Sequence, residues 1–152
     1  MEKDHYIGVD ISKKTIDVAI YVKNQAKKGA FPHETFSNSE EGFKDMKKWL
    51  RKQHVVLSKS LFCMEATGNY TYELCLFLEQ LGVAYSIQSP LHLKRSFGLT
   101  HGKNDKVDAS RIAYYAYLHR EDIKLSKLAS DSVRKLKSLI AERKSLVVEI
   151  AR

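Results

Sequence analysis

The run Ser60-Leu61-Phe62-Cys63-Met64 carries no charge and ends on Glu65. A strand that is apolar on both sides has no face to give to water, so this pattern demands a central strand covered above and below. After a turn at Thr67-Gly68-Asn69, Leu74, Phe77, Leu78 and Leu81 fall at helical spacing over Tyr72 to Leu81. Gly82 stops that helix, and Val83 to Ile87 is again strand-like, ahead of Pro90. A helix between two strands implies a parallel crossover, so the centre of this chain reads as α/β.

The N-terminal part supplies the other strands. Tyr6 to Ser12 is apolar and β-branched, and Thr15 to Val22 resumes strand character with cleaner alternation, so the two form a hairpin. The polar segment 23–29 is a turn, and Ala30 to Phe36 is a third strand whose Pro32 argues for an edge position. Asn38 followed by Glu41 resembles a helix N-cap with its partner, and Phe43, Met46, Trp49 and Leu50 then share one helical face. Lys44, Lys47, Lys48, Arg51 and Lys52 take the other side, which is the ordinary solvated face of an amphipathic helix.

From Leu91 to Gly102 the chain is mixed and basic, and from about Asp105 to Leu118 it reads as helix, with Val107, Ile112, Ala113 and Ala116 as packing positions. The polar stretch Arg120 to Ser130 is a connection. Beyond it, Val133, Leu136, Ile140, Val147 and Ile150 fall at heptad positions interrupted by Arg143. The element order, three antiparallel strands followed by parallel crossovers, is that of a ribonuclease H-like fold. The expected architecture is therefore a mixed five-stranded sheet with flanking helices over residues 1–122. A linker and the start of a coiled-coil-like helix over 123–152 would follow, with an oligomer contact through that helix.

Four acidic residues stand out against this outline. Asp10 follows Tyr6-Ile7-Gly8-Val9, where desolvation penalises its charge unless something positive compensates it; Glu65 closes the central strand; Asp105 and Asp108, three apart, open a helix. Adjacent parallel strands lie about 4.8 Å apart, so Asp10 and Glu65 can share a cation if their strands are neighbours. Two Mg²⁺ or Mn²⁺ ions about 3.5–4 Å apart need several carboxylate oxygens and suit phosphodiester cleavage or strand transfer. Singly, each acid could be a strand-edge residue, a solvated loop residue or a first-turn acid favoured by the helix dipole. Their order and contexts together point to metal.

The chain as a whole is basic. Lys and Arg number 26 against 18 Asp and Glu, a net charge of +8, which favours a polyanionic partner such as nucleic acid. Lys94, Arg95, His101 and Lys103 are candidates for backbone phosphate contact beside the acids. Cys63 and Cys75 lie in apolar surroundings without CxxC spacing, and the six histidines form no HExxH pattern, so neither a zinc site nor a disulfide framework is signalled. No apolar run approaches the roughly 20 residues needed to cross a bilayer, and the N-terminus has no signal-peptide pattern, so a cytoplasmic protein without membrane contact is expected.

Three spaced segments carry a family resemblance. Tyr6-Ile7-Gly8-Val9-Asp10-Ile11-Ser12-Lys13-Lys14 with Asp17-Val18, then Glu65-Ala66-Thr67-Gly68-Asn69-Tyr70, then Lys103-Asn104-Asp105-Lys106-Val107-Asp108-Ala109 resemble the motifs of the Piv/MooV-like DEDD transposases of bacterial insertion sequences. The resemblance implies a RuvC-like catalytic domain that cleaves and transfers DNA strands during transposition. Its four metal-binding catalytic acids would be Asp10, Glu65, Asp105 and Asp108, with DNA as substrate and, in some members, a structured guide RNA. It also implies a coiled-coil segment after the acidic domain, and a C-terminal domain with a conserved serine that this sequence does not contain, so an incomplete transposase is expected.

Other readings share parts of this pattern. A Holliday-junction-resolvase-like nuclease would use the same fold and acids, and a non-catalytic nucleic-acid-binding or dimerisation fragment would share the basic excess. Gly8-Val9-Asp10-Ile11-Ser12 also resembles the first phosphate loop of sugar-kinase and actin-like ATPases. That class needs a second glycine-containing loop, which the seven glycines do not form.

Overall fold

The computed structural model describes residues 3–23, 31–66, 68–97 and 108–128. Strands β1 (His5–Ile11), β2 (Thr15–Ile20) and β3 (His33–Ser37) come first, then helix α1 (Glu40–Lys52), strand β4 (Ser60–Glu65), helix α2 (Tyr72–Gln80), strand β5 (Ala84–Gln88) and helices α3 (Pro90–Phe97) and α4 (Ala109–Leu118). They form a five-stranded sheet in the order β3-β2-β1-β4-β5. β1 pairs antiparallel with β2 and β2 with β3, while β4 runs parallel to both β1 and β5. This is the ribonuclease H-like α/β arrangement, with β1 and β4 central as their apolar sequences require.

Alternation along β1 sorts its side chains between two cores. Ile7, Val9 and Ile11 enter the larger one, with Phe43, Met46 and Leu50 of α1 and Leu74, Cys75 and Leu78 of α2. Tyr6 belongs to the second, with Leu61 and Cys63 of β4, Leu93 of α3, and Ile112, Tyr115 and Ala116 of α4. The sheet is therefore sandwiched between α1 and α2 on one side and α3 and α4 on the other. Both cysteines are free and buried, and burial pushes each thiol up to about 12, so both stay protonated and inert at neutral pH.

One glycine sets the spacing of the second layer. A Cβ at Gly8 would run into the Ala109 carbonyl oxygen and the Ala113 backbone nitrogen, so α4 lies directly against β1 there. The far end of α4 meets the start of β1, where the Tyr117 and Tyr6 rings stand 5.6 Å apart. α4 thus runs opposite to β1, and its N-terminus lies at the end of the sheet that carries Asp10.

Several local expectations are corrected. Ser39, not Asn38, caps α1, its hydroxyl accepting from the Gly42 N–H at 3.2 Å. The Asn38 amide instead donates to the Ser12 carbonyl at 2.9 Å and the Tyr70 carbonyl at 3.1 Å, joining the loop after β1 to the turn after β4. β3 begins at His33 rather than Ala30, and Pro32 accepts from the Ile20 N–H through its carbonyl, as an edge residue lacking a donor can. Leu81, at helical spacing with Leu74 and Leu78, is nonetheless exposed at the end of α2, because the chain leaves the helix there through Gly82 at φ +69°. The basic stretch after Pro90 contains α3, whose Leu93 is buried.

The segment after α4 is not free of the sheet. Ser126 donates its N–H to the Tyr85 carbonyl and its hydroxyl accepts from the Ile87 N–H, both at 2.8 Å, while Ser86 Oγ donates to the Lys124 carbonyl at 2.7 Å. This strap covers the open edge of β5, where unpaired backbone groups would otherwise invite pairing with another chain. The heptad-patterned segment 131–152 and the polar turn at 24–29 lie outside the described residues. No helix among the described residues is long and apolar enough to cross a membrane.

Two variants test this packing. Gly8→Ala, forced against backbone rather than a yielding side chain, lowers unfolding stability by about 3 kcal/mol in urea titration, at the upper end of overpacking penalties; a midpoint equal to that of the parent would refute the close approach. Asn38→Ala removes two donor contacts between loops and lowers stability by about 1–2 kcal/mol, whereas a cap role would leave those loops untouched and shift only the protection of α1 amides in hydrogen exchange.

Candidate metal and phosphate site

The sheet register builds a row of polar side chains across all five strands. Val9 pairs with Met64 in the parallel ladder, so Asp10 and Glu65, each one residue further on, stand side by side at the carboxyl ends of β1 and β4. Glu65 pairs with Gln88 of β5, Asp10 with Asp17 of β2, and Asp17 with Thr35 of β3. Residues directly opposite in a sheet share a face. The shared face is that of α4, because Val9 and Met64, the neighbours of Asp10 and Glu65, point into the other core. In sequence from one edge to the other, the row reads Thr35, Asp17, Asp10, Glu65, Gln88.

Both ends of the row are anchored. Thr35 Oγ1 donates to Asp17 Oδ1 at 2.6 Å. At the other end, the Tyr115 hydroxyl donates to Gln88 Oε1 at 3.2 Å, and Gln88 Nε2 donates to Ser86 Oγ at 2.7 Å. Burial raises the Tyr115 phenol above its ordinary range, which keeps it a neutral donor at physiological pH. Beside Gln88 opens a pocket of about 420 Å³ whose walls include His92, Tyr115 and His119.

Asp108 lies at the N-terminus of α4, next to Ala109, whose carbonyl rests over Gly8 two residues before Asp10. It is not a helical residue, as expected from sequence, but the N-cap: its Oδ1 accepts from the Arg111 N–H at 2.9 Å. The positive end of the α4 dipole thereby points toward the acidic row. Among the described residues, no three His, Cys, Asp or Glu side chains stand close enough to hold an ion together. The register brings Asp10 and Glu65 side by side, while Asp108 stays at the N-terminus of α4, engaged in its cap. Asp105, His101 and Lys103 lie outside the described residues. Lys94 and Arg95 are exposed on α3, the helix that leaves the row through Gln88.

Asp10 and Glu65 are oxygen donors of the kind that a hard divalent cation takes. Asp10 and Glu65 offer carboxylate oxygens from neighbouring strands on one face, and two unit charges about 5 Å apart repel by roughly 1–3 kcal/mol between water-like and protein-like dielectrics. A cation between them turns that repulsion into attraction. Sequence reading missed Asp17, Thr35 and Gln88 as members of the row. The signal for Asp17 was the alternation of Thr15 to Ile20, in which Ile16, Val18 and Ile20 claim one face and leave Asp17 on the other.

Comparison with known proteins agrees with the motifs. A family model of DEDD type, described as "Transposase", matches residues 7–152. The pilin gene-inverting protein of Moraxella bovis is 31% identical over 141 residues, covering 91% of this chain and 41% of that protein. The pilin gene-inverting protein of Moraxella lacunata matches to the same extent, 31% over 141 residues. The chain spans about two-fifths (41%) of the length of these curated relatives. Among solved structures, the Thermus thermophilus RuvC structure aligns with a TM-score of 0.48 at 14% identity, covering 79% of this chain and 98% of that one. With the family model spanning residues 7–152, this chain belongs to the DEDD transposase family.

Proposed function

We propose that this chain is the metal-dependent catalytic domain of a DNA transposase or recombinase, cutting and transferring phosphodiester strands as an insertion sequence moves. The observation that carries the reading is the register that sets Asp10 beside Glu65, on the face and at the sheet end where α4 presents Asp108. Asp10 and Glu65 would hold Mg²⁺ or Mn²⁺, and Asp108 would join them by giving up its cap contact to Arg111, with Asp105 supplying the fourth acid. Bound there, the cation supplies Lewis acidity toward a phosphodiester. The positive end of α4 lowers the energy of negative charge gathered in front of it, the substrate phosphate included.

Lys94 and Arg95 on exposed α3 would hold the DNA backbone beside this site, with His101 and Lys103 continuing the surface. The net charge of +8 supports a polyanionic substrate. His92 and His119 beside the neighbouring pocket offer ring surfaces of the kind on which unstacked bases rest. A structured guide RNA as partner, and self-association through the helix expected over 131–152, belong to the same reading.

Calorimetric titration of Mn²⁺ tests the catalytic assignment. The parent chain binds, and Asp10→Asn lowers affinity more than about 100-fold, beyond the loss typical of an outer-shell partner; equal, negligible heats from both proteins would remove the proposal. Reversing charge at Lys94 and Arg95 together weakens DNA binding and flattens the dependence of log affinity on log salt by about two units. An unchanged slope would dismiss α3 as the phosphate surface.

A further inference from the structure

We infer that Asp17, anchored by Thr35, is a positioning residue for the cation at Asp10 and Glu65, acting through the water that the ion retains rather than as a direct ligand. The inference rests on the metal reading of Asp10 and Glu65 and deepens it. Asp17 is the cross-strand partner of Asp10 and points to the same face. Thr35 already engages Oδ1 of Asp17, which leaves Oδ2 as the oxygen that accepts from a water the ion retains. Mg²⁺ dehydrates reluctantly and keeps several waters, which need acceptors held in place.

The Thr35 hydroxyl supplies that hold. Its 2.6 Å donation fixes the Asp17 carboxylate while leaving it negatively charged, because the donor is neutral. An arginine or lysine in that position would instead cancel the charge on which a cation site depends. Like charges placed directly opposite one another weaken a sheet. Asp17, half-buried opposite Asp10, adds a carboxylate on the face proposed for the cation. Thr15 and Ala19, the other β2 residues on this face, carry no charge.

The test compares the whole chain with Asp17→Asn, Thr35→Val and Thr35→Ser, by thermal melting without metal and by calorimetric titration with Mn²⁺. Asn keeps the shape and still accepts from Thr35, so Asp17→Asn melts at or above the parent temperature without metal yet binds Mn²⁺ about 10–100-fold more weakly. Thr35→Val weakens Mn²⁺ binding in the same direction, and Thr35→Ser restores it. A purely structural role for Asp17 gives the opposite signature, a lower metal-free melting temperature with unchanged affinity, and overturns the inference. If Asp10→Asn loses Mn²⁺ while Asp17→Asn binds like the parent, the inference fails and the metal site stands. If the parent itself binds no Mn²⁺, both fall.

Discussion

The contact on which the rest depends is the seating of α4 on β1 at Gly8. Because no side chain intervenes, the Ala109 carbonyl and the Ala113 nitrogen come down onto the sheet itself. This close approach, together with burial of Ile112, Ala113, Tyr115 and Ala116, fixes the height and direction of the helix. Its N-terminus, with Asp108 as cap, is thereby delivered to the end of β1 and β4 where the acids lie. A larger residue at position 8 would lift the helix and withdraw both its dipole and Asp108 from Asp10 and Glu65.

The acids themselves work against folding. Taken by itself, a pair of carboxylates about 5 Å apart repels by roughly 1–3 kcal/mol. Against this, each fully buried side chain such as Ile7, Phe62, Leu74 or Ile112 contributes about 1.5–3 kcal/mol. Two cores, one on each side of the sheet, thus outweigh one uncomfortable row at its edge. The row is confined to the strand ends, where solvent or an ion can reach it, and its outer members are tied down by hydroxyl donors. Thr35 and Tyr115 hold the flanks of the row through neutral hydroxyl donors.

Much of this was legible in the residues. The uninterrupted apolar run into Glu65 required a central strand, the helix between it and the next strand required a parallel crossover, and Pro32 marked the edge of the sheet. What escaped was set by pairing and by local capping. Asn38 and Ser39 are both good N-caps, and tertiary contacts decided between them by recruiting the Asn38 amide to Ser12 and Tyr70. α3 was hidden because its buried Leu93 sits among exposed Lys94, Arg95 and His92. Its start was nonetheless written as Ser89-Pro90, a cap whose hydroxyl accepts from the His92 N–H followed by proline at the first helical position. The partnership of Asp17 with Asp10 depends on register, which alternation hints at and only pairing fixes.

The account stands on the claim that Asp10 and Glu65 share one divalent cation. Crystals of the chain soaked with Mn²⁺, with anomalous scattering recorded at the manganese edge, test it most directly. The account predicts an anomalous peak within ligand distance of both carboxylates, under the N-terminus of α4. A peak elsewhere, or carboxylates turned apart around a space holding no ion at saturating Mn²⁺, would contradict it.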